Sequence, residues 1–148
     1  MKTLLTKVMS TTPGLDTLAV RIGAGVIFAA HGAQKLFGWF GGYGLEGTAG
    51  WMDSIGLGPG MLMATLAGSA EFLGGVFLIL GLLVRPAALI LAFTMLVAIV
   101  SVHLGNGLFM SNNGYEFGLA LLVISIGLAV RGAGSLSADN IVQLKLSN

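Results

Sequence analysis

The 148-residue chain contains no cysteine and few ionisable side chains. Without a thiol, the chain by itself forms no disulfide, thiolate nucleophile, cysteine-ligated iron–sulfur cluster or Cys-type zinc site. Only 9% of its residues are charged, whereas soluble domains carry about 25%. The formal net charge of +1 provides no basic surface for DNA or RNA, so nucleic acid is not an expected partner.

Apolar residues take the place of the missing charges. They make up 55% of the chain, and the mean hydropathy is +0.94. A soluble domain of this size has too little interior to bury so much apolar surface. We therefore predict an integral membrane protein in which residues 1–148 form a single domain and the lipid membrane is a partner.

The longest apolar stretch, from Ala64 to His103, predicts a transmembrane hairpin. As one helix it would be about 60 Å long, about twice the hydrocarbon thickness of a bilayer, so the chain must turn back within it. Arg85 and Pro86 mark the expected turn, because a charge belongs at the membrane surface and proline suits the first turn of a helix. The predicted arms are residues 62–84 and 86–104.

Two further apolar segments, residues 17–38 and 114–131, are each long enough to cross the bilayer. Together with the hairpin they predict an all-α membrane protein, a four-transmembrane-helix antiparallel bundle. Arg21 lies about one turn from the start of the first segment, and we expect its side chain to snorkel to the headgroups.

Two segments outside these spans, loop 39–61 and the tail, are each expected to contain a short helix. Loop 39–61 is rich in glycine and aromatic residues, and it is either a lid over the bundle or a plain linker. Thr48 is expected to cap a short surface helix within this loop that ends near Ile55. The tail, residues 132–148, is expected to form an amphipathic helix on the membrane surface after Ser137.

The distribution of basic residues predicts the orientation of the chain. In a four-span arrangement, six of the seven lie on one side: Lys2, Lys7, Arg21, Arg85, Arg131 and Lys145. By the positive-inside rule, both termini and the hairpin turn are cytoplasmic, and loop 39–61 faces outwards.

Apart from Arg21 and the terminal Arg131, the ionisable residues of the predicted spans all lie in the outer half of the bundle. His31 and Glu71 lie roughly 10 to 14 Å below the outer ends of their helices, and Lys35, His103 and Glu116 form a shallower layer. A charge at the bilayer centre costs about 2.5 to 3.5 kcal/mol, so such groups are expected to be neutral, paired or bound to a ligand. We predict that these five residues bind a ligand or a proton.

The charges of this cluster do not balance by themselves. Lys35 compensates one carboxylate, while Glu71 and Glu116 supply two. A proton on Glu71, a proton on a histidine or a bound cation would restore the balance, which makes the protonation of the cluster depend on what occupies it.

Two other interpretations of the cluster stay open. In the first, Glu71, His31 and Lys35 form an interhelical hydrogen-bond network that only locks the bundle, and each such contact contributes about 0.6 kcal/mol. Alternatively, His31, Glu71 and His103 are weak candidates for iron or zinc ligands. Against a metal, the His-x-x-x-Lys spacing is no metal signature, and the chain has no Glu-x-x-His pair.

Three blocks of the sequence resemble the DoxX family of small bacterial membrane proteins. They are RIGAGVIFAAHGAQKLFG at residues 21–38, AEFLGGVFLILGLLVRPAALILAFTMLVAIVSVH at residues 70–103 and NGYEFGLALLV at residues 113–123. The resemblance implies a four-helix protein of the bacterial inner membrane. The family takes its name from a subunit of an archaeal thiosulfate:quinone oxidoreductase, and some members are linked to membrane redox and oxidative-stress complexes. It therefore implies quinone-linked redox work.

On this resemblance, our leading hypothesis is that the five residues line a pocket open to the outer leaflet that accepts a quinone head group or a similar small polar ligand. His31 and Lys35 would donate to the carbonyl oxygens, and Glu71 would carry the proton. Because the chain has no cysteine and no recognisable haem or flavin motif, it would be an accessory or quinone-docking subunit that works with a redox partner protein. It would not be a complete enzyme.

Two further functions remain as alternatives. The first is a small-molecule or proton-coupled transporter, which would have to be a homo-oligomer because four spans without repeats or broken helices make a poor transporter as a monomer. The second is a membrane scaffold that anchors soluble partners through its tails, with a purely structural polar network.

Overall fold

The computed structural model describes residues 7–147, and their side chains as far as Lys145. No strand occurs in this range, which confirms the all-helical prediction. The helices are α1 (Leu18–Phe37), α2 (Gly44–Ser54), α3 (Gly60–Leu80), α4 (Val84–Ala98), α5 (Glu116–Arg131) and α6 (Ala138–Ser147). A π-helical segment, Ile99–His103, continues α4, and short 3-10 turns cover Trp39–Gly41, Leu104–Asn106 and Met110–Asn112.

The predicted hairpin corresponds to α3 and α4, but the turn between them comes earlier than expected. Helix α3 ends at Leu80 because Gly81 adopts a left-handed conformation with φ 68°. The amides of Gly81 and Leu82 then donate to the carbonyls of Leu78 and Phe77, the arrangement that ends many helices at a glycine. The predicted arms 62–84 and 86–104 are therefore wrong by a few residues at this turn.

Length and composition support membrane crossing for the hairpin. In the described range, Gly60–Leu80 and Val84–Asn106 are the two helical stretches long and apolar enough to span a bilayer. Helix α5 has 16 residues, and α1 carries Arg21 and Lys35 within its length. The crossing of these two helices, and hence the four-span arrangement, stays a prediction.

Helix α1 packs mainly along α3, and α4 packs mainly along α5. Glycines allow the first pair to approach closely. A Cβ atom at Gly32 would overlap the backbone of Phe72, and one at Gly75 would overlap the backbone of Ala29. The small residues of α3 thus serve contacts within the chain.

Helix α2 lies across α3 and differs from its prediction. It begins at Gly44 rather than after Thr48. Thr48 is buried inside the helix, where its hydroxyl donates to the carbonyl of Lys35 at 3.4 Å. It is therefore not the N-cap, because the left-handed Gly44 already starts the helix four residues earlier.

The tail covers the end of the helices at which α3 turns into α4. Helix α6 begins after Ser137, as expected. The expectation that Arg21 snorkels is wrong, since only 2% of this residue is exposed and its Nη2 donates to the carbonyl of Leu136 at 2.8 Å. Asp139 is equally buried and accepts hydrogen bonds from the amides of Leu83 and Val84, at the start of α4.

Each of the four long helices exposes an apolar face. Examples are Val26 on α1, Leu66 on α3, Phe93 on α4 and Val130 on α5, which are between 54% and 72% exposed. Their number is far above what a soluble monomer presents to water. These faces are suited to lipid.

Candidate functional site

An ion pair between α1 and α3 forms the centre of the site. The Nζ atom of Lys35 lies 2.5 Å from Oε2 of Glu71. The glycine contacts bring the two helices close enough for this pair, and side chains on a helix lean towards its N-terminus. Lys35 therefore reaches deeper than its position in the sequence indicates. The two separate layers predicted from the sequence are wrong on this point, because Lys35 and Glu71 meet.

The ion pair lines a cavity of about 300 Å³ between the helices. Four predicted site residues contribute to its wall, namely His31, Lys35, Glu71 and His103. The apolar part of the wall consists of Phe28, Met95, Ala98, Phe117, Gly118 and Leu121, and the loop before α5 adds Met110, Asn113 and Gly114. A mostly apolar cavity with a few convergent polar groups is typical of a small-molecule site.

His31 is available to a ligand in this arrangement. Its ring lies 6.2 Å from the ring of Phe117, centroid to centroid. Within the described range no hydrogen bond engages its nitrogens, and the residue is exposed. An unengaged imidazole can both donate and accept a hydrogen bond.

His103 lies at the end of the π-helical segment that continues α4. Its Nδ1 is 2.8 Å from the carbonyl oxygen of Asn113. Because a carbonyl only accepts, Nδ1 must carry the hydrogen, and Nε2 of the neutral ring is left as an acceptor. π-Helical segments are frequent at functional sites, but no feature of the sequence indicated this one.

Glu116 does not join the other four predicted residues. Its Oε1 accepts a hydrogen bond from the amide of Met110 at 2.6 Å, so the carboxylate holds the loop before α5. It does not line the cavity. The charge of the cavity is consequently set by Lys35, Glu71 and the two histidines, and the single carboxylate is already paired.

The geometry offers no ready metal centre. Among residues 7–147, no three histidine, cysteine or carboxylate side chains come close enough together to hold a metal ion. His31, Glu71 and His103 line the same cavity, but they do not converge on one point.

A second cavity lies next to the first and was not predicted. It has a volume of about 480 Å³ and lies between the C-terminal end of α1 and helix α2. Its wall consists of Gln34, Lys35, Gly41, Gly42, Tyr43, Gly47, Thr48 and Trp51. The feature of the sequence that relates to this cavity is loop 39–61, which supplies most of its wall. The composition of the loop alone did not distinguish a functional loop from a linker.

Comparison with known proteins identifies the family. Residues 17–104 match the family described as DoxX. A Bacillus subtilis protein named "Putative oxidoreductase CatD" is 38% identical over 128 residues, which cover 86% of this chain and 87% of that protein. No solved structure shows significant similarity to the chain.

Two shorter matches are to Haemophilus influenzae proteins, each named "Uncharacterized protein". They are 37% and 35% identical over 81 and 78 residues, or 53% of this chain in both cases. The matched regions cover 60% and 52% of those proteins. The family match and the Bacillus subtilis relative confirm the resemblance noted in the sequence: the chain belongs to the DoxX family of membrane proteins.

Proposed function

We propose that this chain is a quinone-docking subunit of a redox system in the bacterial inner membrane. The observation that supports the proposal is the 300 Å³ cavity in which His31, Lys35, Glu71 and His103 meet an apolar wall. A quinone head group is a flat apolar ring with two carbonyl oxygens. It needs hydrogen-bond donors at its edges and apolar contacts on its faces.

The polar groups of the cavity suit this ligand. One N–H of the Lys35 ammonium is used by Glu71, which leaves two N–H groups for a carbonyl oxygen. The unengaged ring of His31 is a second donor, and Nε2 of His103 is an acceptor for a quinol hydroxyl. Glu71 is the group that takes up or releases a proton.

The redox chemistry would be shared with a partner protein. Reduction of a quinone to a quinol adds two electrons and two protons. Groups of this chain can handle the protons, and we assign the electrons to a redox partner protein. The similarity to a Bacillus subtilis protein whose name includes "oxidoreductase" favours this class of reaction.

The membrane arrangement is part of the same proposal. We place α1, α3, α4 and α5 across the bilayer, with both termini in the cytoplasm, because all four helices expose large apolar side chains. The cavity then lies in the outer half of the membrane, where a quinone can reach it from lipid.

The test is the binding of decylubiquinone to the purified protein in lipid nanodiscs, followed by isothermal titration calorimetry. We expect Glu71→Gln to weaken binding about tenfold or more and to abolish its pH dependence, because Glu71 holds the Lys35 ammonium in the cavity and a charge-assisted hydrogen bond from that ammonium to a quinone carbonyl contributes about 1.5 to 3 kcal/mol. The matched control is Glu46→Gln, which makes the same change at an exposed carboxylate on α2.

A second variant protects the test against misfolding. His31→Ala removes a donor without breaking the Lys35–Glu71 ion pair, and it should also weaken binding. If decylubiquinone does not bind the native chain, or if Glu71→Gln binds it as Glu46→Gln does at every pH, the proposal is wrong.

A further inference from the structure

Lys35 is the residue that the two cavities share. It belongs to the wall of the 300 Å³ inner cavity and to the wall of the 480 Å³ outer cavity. Its ammonium group is held on the inner side by Glu71, at 2.5 Å. The side chain therefore forms part of the partition between the two spaces.

The two members of the ion pair differ in their access to solvent. The side chain of Lys35 is 26% exposed, whereas that of Glu71 is 4% exposed. Lys35 is the member that borders the outer cavity, whose wall also includes Thr48 and the exposed residues Tyr43 and Trp51. Water in the outer cavity can reach Lys35, whereas Glu71 does not line this cavity and contacts Lys35 from the other side.

The backbone around Lys35 is held in place. The Thr48 hydroxyl donates to its carbonyl, and the side-chain Nε2 of Gln34 donates to the carbonyl of Phe40 at 3.3 Å. Gly42 lies so close to Gln34 that a Cβ atom would overlap its backbone. If the partition opens, the part that moves is therefore the flexible side chain of Lys35 and not the end of the helix.

We infer that the outer cavity is the route by which Glu71 exchanges its proton with water on the outer side of the membrane, and that the Lys35–Glu71 ion pair gates this route. The inference deepens the proposed function and rests on it for the identity of the proton donor. According to this inference, the protons of the redox reaction are exchanged with water on the outer side of the membrane.

The gating follows from the charges. When a quinol hydroxyl transfers its proton to Glu71, its O–H bond breaks, an O–H bond forms on the carboxylate, and Glu71 becomes neutral. Its attraction for Lys35 is then lost, and the ammonium group turns into the outer cavity. Glu71 releases the proton to water, regains its charge and draws Lys35 back.

The other titratable groups around the cavity do not duplicate this role. His31 on α1 and His103 after α4 face the same cavity, but neither pairs with Lys35. Two such cycles release both protons of the quinol outwards, while its two electrons pass to the redox partner and the ligand becomes the quinone.

The absence of native cysteine makes this route directly measurable. A single cysteine is introduced by Ala98→Cys, at the wall of the inner cavity. The protein is reconstituted in liposomes of known orientation and treated from the outer side with a cationic, membrane-impermeant methanethiosulfonate. Gly50→Cys, at an exposed position on α2, gives the reaction rate of a cysteine that is fully accessible to water. Phe93→Cys, on the surface proposed to face lipid, gives the rate of a cysteine that the reagent cannot reach.

We expect Ala98→Cys to react slowly by itself and about tenfold faster when combined with Glu71→Gln, which imitates the protonated carboxyl group. The cationic reagent strengthens the test, because loss of the Glu71 charge would slow it by electrostatics alone. Lys35→Ala, which removes the partition, should give a similar increase, and Glu46→Gln should give none.

Unchanged rates in both Glu71→Gln and Lys35→Ala, or faster reaction from the cytoplasmic side, would overturn the inference. Decylubiquinone binding is measured on the same samples to separate the two proposals. Binding without gating overturns the route and leaves the quinone site standing. Gating without binding supports the route and removes the quinone.

Discussion

At the scale of single residues, Asp139 shows how a buried carboxylate is used away from the cavity. Only 1% of it is exposed, and its oxygens accept from the amides of Leu83 and Val84 at 2.7 and 3.0 Å. Burial raises the pKa of Asp139 above its ordinary value of 3.8, while the two amides and the charge of Arg21 oppose this rise. The tail is thereby fastened to the first turn of α4.

The raised pKa predicts that stability depends on pH through Asp139. The folded chain holds the proton more tightly than the unfolded chain, so this contribution is fully present below 3.8 and is lost as the pH rises through the raised pKa. Each pH unit over which only the folded chain is protonated changes the free energy of unfolding by about 1.4 kcal/mol. As the pH falls from neutral, we expect the stability of the native chain to increase relative to that of the Asp139→Asn variant.

Thermal unfolding of both proteins in the same detergent, between pH 4 and pH 8, measures this difference. The exposed Asp16 provides the control, because its carboxylate pairs with Arg131 at the surface. Asp16→Asn should follow a pH profile close to that of the native chain. Parallel profiles for the native chain and Asp139→Asn would contradict the prediction.

At the scale of helices, the glycine contacts between α1 and α3 decide whether the ion pair can form. Gly32 leaves no room for a methyl group against the backbone of Phe72. Lys35 follows Gly32 by three residues on α1, and Glu71 directly precedes Phe72 on α3. A change in the spacing of the two helices therefore changes the geometry of the ion pair. Packing and polar geometry therefore depend on the same contact.

Gly32→Ala should destabilise the chain and weaken quinone binding together. We expect a loss of about 1 to 3 kcal/mol in the free energy of unfolding, because extra volume in a packed interface forces the backbones apart. Gly23→Ala is the matched control on the same helix, since a Cβ atom there meets nothing within 4 Å and replacing a helical glycine stabilises by up to about 1 kcal/mol. Equal stabilities, measured by chemical denaturation in mixed micelles, would show that the contact is not tight.

At the scale of the whole molecule, charge and apolar surface point to one orientation. The tail packs against the hairpin turn and the segment before α1, as the pair of hydrogen bonds between Gly14 and Ser135 illustrates. Leu136, Ile141 and Leu144 on this tail are about 60% exposed. An apolar face beside Lys145 suits the headgroup region of a membrane.

The positive-inside rule predicts where single cysteines can be labelled in intact cells. Gly50→Cys, on α2, should react with a membrane-impermeant maleimide added outside, because loop 39–61 is predicted to face outwards. Thr12→Cys, which is exposed on the side of the termini, should react only after the cells are permeabilised. Labelling of Thr12→Cys in intact cells would contradict the predicted orientation.

The sequence indicated several features because each depends on residues close together in the chain. The helices and their approximate bounds follow from apolar runs interrupted by glycine and charge, and helix α6 follows from the pattern after Ser137. His31, Lys35 and Glu71 were recognised as candidates because polar groups inside apolar helices require partners. The family was recognised from three blocks of residues.

Other features depend on the rotation and neighbours of each helix, which hydropathy does not encode. Glu116 was grouped with the cavity by its depth, yet it faces the loop and holds Met110. Arg21 was assigned to the headgroups, but the tail covers it. The outer cavity forms only where α2 folds back over the end of α1.

Composition alone thus determined that this chain is helical and belongs in a membrane. With 55% apolar and 9% charged residues, a soluble domain of this size could not bury its apolar surface. Only the tertiary structure decided that Lys35 pairs with Glu71 and stands between two cavities. The physical reason is that a sequence specifies how deep a side chain lies along its own helix. Which residues it meets is set by the close approach of α1 and α3 at their glycines.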